Sequence, residues 1–154
     1  MKNILLTALA LTAVPGLAQS ENDLVELVRS DIRADMQAIV AANMEMSEEE
    51  SKAFWPMYDE YALANKKLWD SRLGIISDYA GSYESMTDEV AQDLLARAWA
   101  SDKELHALLE NTSKKMMKVL PASRVARFNM IVNRLQNLIS LQLASELPLM
   151  PASK

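Results

Sequence analysis

Glycine is the scarcest constraint-bearing residue in this chain. Three occur in 154 residues, at 16, 74 and 81. A β-sandwich needs left-handed hairpin turns, and a dinucleotide or phosphate loop needs several closely spaced glycines. Gly16 falls in an N-terminal segment expected to be removed, which leaves Gly74 and Gly81 for the rest. Two glycines supply none of those architectures. The abundance of Ala, Leu, Met, Glu and Lys favours helix instead, so the expected fold class is all-α. The length suits one domain with a real core. There is no cysteine and one histidine, His106. That excludes disulfides, cysteine-ligated zinc, iron–sulfur clusters and cysteine nucleophiles. It does not argue against export, because an exported domain with an adequate core needs no disulfide.

The first residues read as an export signal. Met1-Lys2-Asn3 is a short positive region, Ile4 to Val14 is an apolar run too short to span a bilayer, and Pro15-Gly16 breaks it. Small residues at Gly16 and Ala18 place cleavage after Ala18. The expected organisation is a signal peptide over 1–18 and a single helical domain over 19–154, located in the periplasm of a Gram-negative bacterium. No lipoprotein cysteine and no later membrane span is present.

Four helices are expected. Leu24, Leu27, Val28, Ile32, Ile39 and Val40 have helical spacing, giving helix 1 over about 24–44. Ser47-Glu48-Glu49-Glu50 is a capping box that opens helix 2. Its apolar residues recur by sevens at Phe54, Tyr61, Leu68 and Ile75, with Trp55, Ala62, Trp69 and Ile76 alongside. Asn65 and Arg72 interrupt that seam, either fixing register or leaving it open to water. Pro56 is tolerable near the helix start, and Gly81-Ser82 is expected to end the helix near 80. Thr87-Asp88-Glu89 caps helix 3, whose stripe is Ala91, Leu94, Ala98, Leu105, Leu108, Thr112 and Val119. Pro121 stops it, and helix 4 follows from about 122 with Val125, Phe128, Val132, Leu135, Ile139 and Leu143 inward. The two long helices form an antiparallel hairpin.

Charge is segregated. No acid occurs from Asn111 to Ser145, a stretch holding Lys114, Lys115, Lys118, Arg124, Arg127 and Arg134. Acids dominate from Glu21 to Glu60. The net charge of −5 becomes −6 once Lys2 leaves with the signal, which argues against nucleic acid. The basic run either packs beside acidic helices 1 and 2 or forms a face that receives an anionic or amphipathic partner.

Classical active-site constellations are scarce in the sequence, and nothing marks two of its many carboxylates as buried together. His106 and Asp102 share a helical face, but two side chains do not make a metal site, and no second histidine exists. No catalytic, cofactor or metal residues are assigned. The methionines, with Met44/Met46 and Met116/Met117 as the close pairs, suit soft core filling, an adaptable surface or copper. Trp55 and Trp69 fall on the helix 2 stripe, whereas Trp99 falls off the helix 3 stripe and is the candidate exposed aromatic.

The order of export signal, short helix, capped long helix, long helix and Leu-Pro break resembles the Spy/CpxP family of periplasmic stress proteins. That family repeats a Leu-Thr-x-x-Gln motif. Met46-Ser47-Glu48-Glu49-Glu50 is similar to the first copy, with a hydroxyl cap and a carboxylate for the glutamine. Leu120-Pro121-Ala122-Ser123-Arg124 keeps only the Leu of the second. The resemblance implies a long-hairpin four-helix fold, often a thin curved dimer. It also implies non-enzymatic, ATP-independent binding of unfolded or envelope proteins on an apolar and basic surface. The residues expected to form that surface here are Trp99, Lys114, Lys115, Met116, Met117, Lys118, Arg124, Arg127, Phe128 and Met130. The expected partners are client proteins and a second copy of the chain. The alternatives are a periplasmic metal-responsive sensor or buffer of the same family, and a purely structural dimeric adaptor.

Overall fold

The computed structural model describes residues 36–151. The expected signal peptide, its cleavage point and the first half of helix 1 lie outside those residues. Among the described residues the structure is helical, with no strand: α1 over 36–43, α2 Glu48–Ser82, α3 Asp88–Met116 and α4 Ala122–Glu146, with a 3-10 turn Tyr83–Ser85 after α2.

Local chemistry accounts for the helix starts. The Ser47 hydroxyl accepts from the Glu50 amide at 3.2 Å, and the Glu50 carboxylate accepts from the Ser47 amide at 2.9 Å, which completes the capping box. Glu49 sits with its carboxyl held below the usual range, first by its own backbone amide and then by the Ser47 hydroxyl. Thr87 caps α3 through the Val90 amide at 3.3 Å. Pro121 begins α4 in an extended conformation with no side-chain cap, and Leu120 before it is buried.

Two ends differ from expectation. Gly81 does not terminate α2, which runs through Ser82 into the 3-10 turn. Neither Gly74 nor Gly81 has a left-handed backbone, so a glycine without turn geometry does not break the helix. Helix α3 ends at Met116 rather than at the proline. The residue before a proline is pushed out of the helical region, and the chain between winds tightly, with the amides of Val119 and Leu120 both donating to the Met116 carbonyl at 3.1 and 2.9 Å. Val119, expected inside, is exposed there.

Ion pairs set the register of α2 on α3: Glu60 with Lys115, Arg72 with Asp102, and Asp78 with Arg97. As α2 ascends α3 descends, so the two long helices form the antiparallel hairpin. Helix α4 then returns beside α2. Phe128 meets Phe54 and Tyr61 edge-on at 5.5 Å, and the hydroxyls of Tyr79 and Tyr83 donate to the Pro148 and Leu149 carbonyls at 2.7 and 3.2 Å. The seam of α2 is therefore covered within the chain. Its buried residues are Phe54, Tyr58, Tyr61, Asn65, Trp69 and Leu73, steps of three and four averaging close to the straight-helix period. The sevens of Leu68 and Ile75 drift off the buried line and are only half-buried.

The core has two parts. The larger joins Val40 and Met44 to Phe54, Tyr58, Tyr61, Leu109, Met116, Leu120, Val125, Phe128 and Val132. The smaller is Trp69, Leu73, Leu105, Ile139 and Leu143.

Candidate functional site

The expected basic and apolar surface is sorted by packing into three groups. Met116 and Phe128 are not surface residues at all. Both are fully buried in the larger core, where a ring against three aromatics and a flexible thioether fill the space between α2, α3 and α4. They cannot form part of a receiving face.

The second group is Trp99, which is 65% exposed, as the helix 3 stripe requires. It lies 17 residues of α3 from Met116, about 25 Å along the axis. The fold does not bring it to the basic cluster.

The third group surrounds the α3–α4 connection and the outer side of α4. Here most cations are already matched. Arg124 pairs with Glu50 at 3.3 Å, Arg127 with Glu45 at 3.1 Å, Lys115 with Glu60 at 3.4 Å, and Lys114 with Glu110. Arg127 also donates through Nε to the Asn43 carbonyl at 2.5 Å, tying α4 to the end of α1. Glu110 is held below the ordinary carboxylate range, chiefly by its hydrogen bond from Lys114. Three of these pairs join the acid-free run to the acidic start of the chain; Arg124–Glu50 is half-buried, and the exposed pairs contribute little individually. Among the described residues, Lys118 and Arg134 have no acidic partner.

What remains available is a line of apolar groups among those cations. Met130, Leu138 and Leu141 are each more than half exposed, and with Arg127 and Arg134 they recur along α4 at steps of three and four. Asn43, Arg124, Arg127, Met130, Ile131 and Arg134 also line a groove of about 490 Å³. Leu138, Leu141 and Arg134 were not part of the sequence-derived site. Their signal was present in the sequence as a second apolar row on α4, out of phase with Val125, Phe128, Val132, Ile139 and Leu143. Met117 and Val119, with Lys118 between them, extend exposed apolar surface onto the connection.

The other singled-out residues take structural places. The His106 Nδ1 lies 2.7 Å from the Asp102 carbonyl, which can only accept, so Nδ1 carries the proton. The Asp102 carboxylate goes to Arg72 instead. Trp55 is half-buried and donates to the Ser51 hydroxyl at 3.2 Å, while Trp69 is core. Met36 and Met44 are core fillers. Among the described residues no three His, Asp or Glu side chains gather as a metal site, and no helix is long and apolar enough to cross a membrane.

No protein-family model, curated protein or solved structure matches the chain.

Proposed function

We propose that this protein is a non-enzymatic, periplasmic protein-binding module of the Spy/CpxP kind. It holds unfolded or envelope proteins without ATP, as a chaperone or as a regulator of envelope stress. One observation carries the reading. Helix α4 exposes Met130, Leu138 and Leu141 in a row with Arg127 and Arg134, and it contains no acid before Glu146. Exposed apolar groups repeated along one face of a helix in this way mark interaction sites. The apolar row supplies burial for a client, and the cations raise the encounter rate with acidic segments.

A second copy of the chain fits this particular face less well. A two-fold interface sets the same patch against itself, which brings together two cationic patches that each carry Arg127 and Arg134. An acidic, amphipathic client is the better complement. The metal-sensor and adaptor readings have no comparable observation behind them.

The test is suppression of light scattering by an acidic, aggregating protein at equimolar ratio without nucleotide. The wild-type chain slows aggregation, and slows it less as salt rises. The triple variant Met130→Ser, Leu138→Ser, Leu141→Ser keeps its melting temperature, because surface replacements cost little, and loses the suppression. A variant that suppresses as well as wild type rejects the face. Export is tested separately, by N-terminal sequencing of the protein recovered from the periplasm.

A further inference from the structure

Helix α2 does not stop at Gly81, and its continuation puts two tyrosines on one side of the far end. Tyr79 lies in the last turn of α2, and Tyr83 opens the 3-10 turn one four-residue step later. Their rings meet edge-on with centroids 5.9 Å apart, and both residues are half-buried. The two hydroxyls donate to consecutive backbone carbonyls of the C-terminal tail. Tyr79 reaches Pro148 at 2.7 Å, and Tyr83 reaches Leu149 at 3.2 Å.

The tail is gripped by its backbone. Among the described residues, its hydrogen bonds past Leu147 are those two. Its side chains do not seat: Leu149 is 90% exposed, and Pro148 and Pro151 are exposed as well. Hydrogen bonds at the surface contribute little net free energy, because water offers the same partners. The tail is therefore an exchangeable occupant, and the tyrosine ledge reads extended backbone rather than particular side chains. Proline prepares that backbone. It disfavours the helical region for the residue before it, and Leu147 is extended at φ −90° and ψ 125°. Pro148-Leu149-Met150-Pro151 also has the P-x-x-P spacing of a polyproline II ligand. Such segments dock on aromatic side chains, and they lose little freedom in doing so because they are already extended.

We propose that the Tyr79–Tyr83 ledge is a docking site for an extended, proline-containing segment of another polypeptide, and that the tail fills it in cis as a built-in competitor. The incoming segment presents the same pair of carbonyls to the same two hydroxyls. The ledge adjoins the C-terminal end of α4, whereas the α4 groove is lined by residues 123–134. The proposal does not depend on the client face.

The experiment is an NMR titration of the isotope-labelled full chain with the synthetic peptide Glu-Leu-Pro-Leu-Met-Pro-Ala, the sequence of residues 146–152. A tethered competitor acts at an effective concentration in the mM range, so an apparent Kd of about 1 mM is expected. The Tyr79 and Tyr83 ring signals shift, and the tail signals move toward those of a free chain. A control peptide with glycine at both proline positions binds more weakly. Two full-length variants change the affinity in opposite directions with unaltered melting temperatures. Pro148→Gly with Pro151→Gly loosens the tail and tightens peptide binding about threefold. Tyr79→Phe with Tyr83→Phe weakens it about threefold, since tail and peptide lose the same donors together. The absence of any shift at ~10 mM peptide, about tenfold above that Kd, overturns the proposal. So do shifts confined to other parts of the molecule, or variants that move the affinity in the same direction. Tail signals that change with protein concentration alone assign the ledge to a second copy of the chain and overturn it too.

Discussion

The two halves of the bundle are built from the same three helices and held by different means. At the end where α1 joins, Phe54, Tyr58, Tyr61 and Phe128 form a chain of ring contacts, each pair with centroids 5.5–6.4 Å apart, inside eleven buried residues. At the far end the buried cluster is smaller, Trp69, Leu73, Leu105, Ile139 and Leu143, with half-buried Leu68 and Ile76 packed against it. Between and within the halves lie four buried polar atoms without partners: Tyr61 Oη, Asn65 Oδ1, Trp69 Nε1 and Ser101 Oγ. Three of these residues follow one another at four-residue steps down α2. Stability is concentrated where rings and a fourth helix close the core. Tyr61 belongs to the well-packed half and Trp69 to the other, so the unpaired polar groups run across both.

The largest effect that separates the halves is a core truncation in each. Phe128→Ala removes a fully buried ring that touches three others, and an unfolding free-energy loss of about 3–5 kcal/mol is expected from urea titration. Leu73→Ala in the far half should cost nearer ~2 kcal/mol, because the looser site collapses more readily. Equal losses would erase the distinction.

The next effect is alkaline. Burial, with a smaller contribution from Asp59, pushes the Tyr58 hydroxyl up to about 12, and burial raises Tyr61 as well. Both belong to the well-packed half. A raised folded value means the stabilisation is complete below the unfolded pKa, near 10, and is lost as pH climbs through 10 toward 12. At ~1.4 kcal/mol per unit, Tyr58 alone accounts for about 3 kcal/mol of that loss. Tyr58→Phe should flatten the fall in unfolding midpoint between pH 10 and 12. An unaltered slope places the alkaline transition elsewhere.

Smaller still is Asn65→Leu, which replaces a buried carbonyl that has no partner. A gain of ~1 kcal/mol is expected, since an apolar group of similar size avoids the desolvation of the amide. A loss of similar size shows instead that Asn65 holds an ordered water and that the polar gap is part of the packing. The smallest effects come from Gly74→Ala and Gly81→Ala. A β-carbon at either position meets nothing within 4 Å, and both are helical, so each substitution should stabilise by ~0.4–1 kcal/mol in thermal melts.

Short-range chemistry was legible without coordinates. The Ser47–Glu50 capping box, the Thr87 cap and the start of α4 right after Pro121 depend on residues three or four apart, and they sit where the sequence places them; the end of α3, at Met116, does not. The inward row of α4 was legible for the same reason, with Val125, Phe128, Val132, Ile139 and Leu143 buried and Leu135 half-buried. The exposure of Trp99 follows from its phase against Leu94 and Leu105 alone.

The candidate face was harder, because it depends on which of two apolar rows a third helix covers. Met116 and Phe128 look, one residue type at a time, as suited to an adaptable surface as Met117 and Met130 do. Only the return of α4 beside α2 puts the first pair inside and leaves the second pair in water. The charge run was ambiguous in the same way. Glu45, Glu50 and Glu60 lie 55 to 82 positions from Lys115, Arg124 and Arg127, and no local rule joins them.

The sequence by itself determined the helices, their caps and the antiparallel turn between the long pair, since each follows from backbone satisfaction within a few residues. The tertiary structure alone decided which cations are matched and which apolar row stays open on α4. It also decided that Trp69 ends buried with its N–H unsatisfied. Those outcomes are set by how three helices divide a limited core among more apolar faces than it can cover.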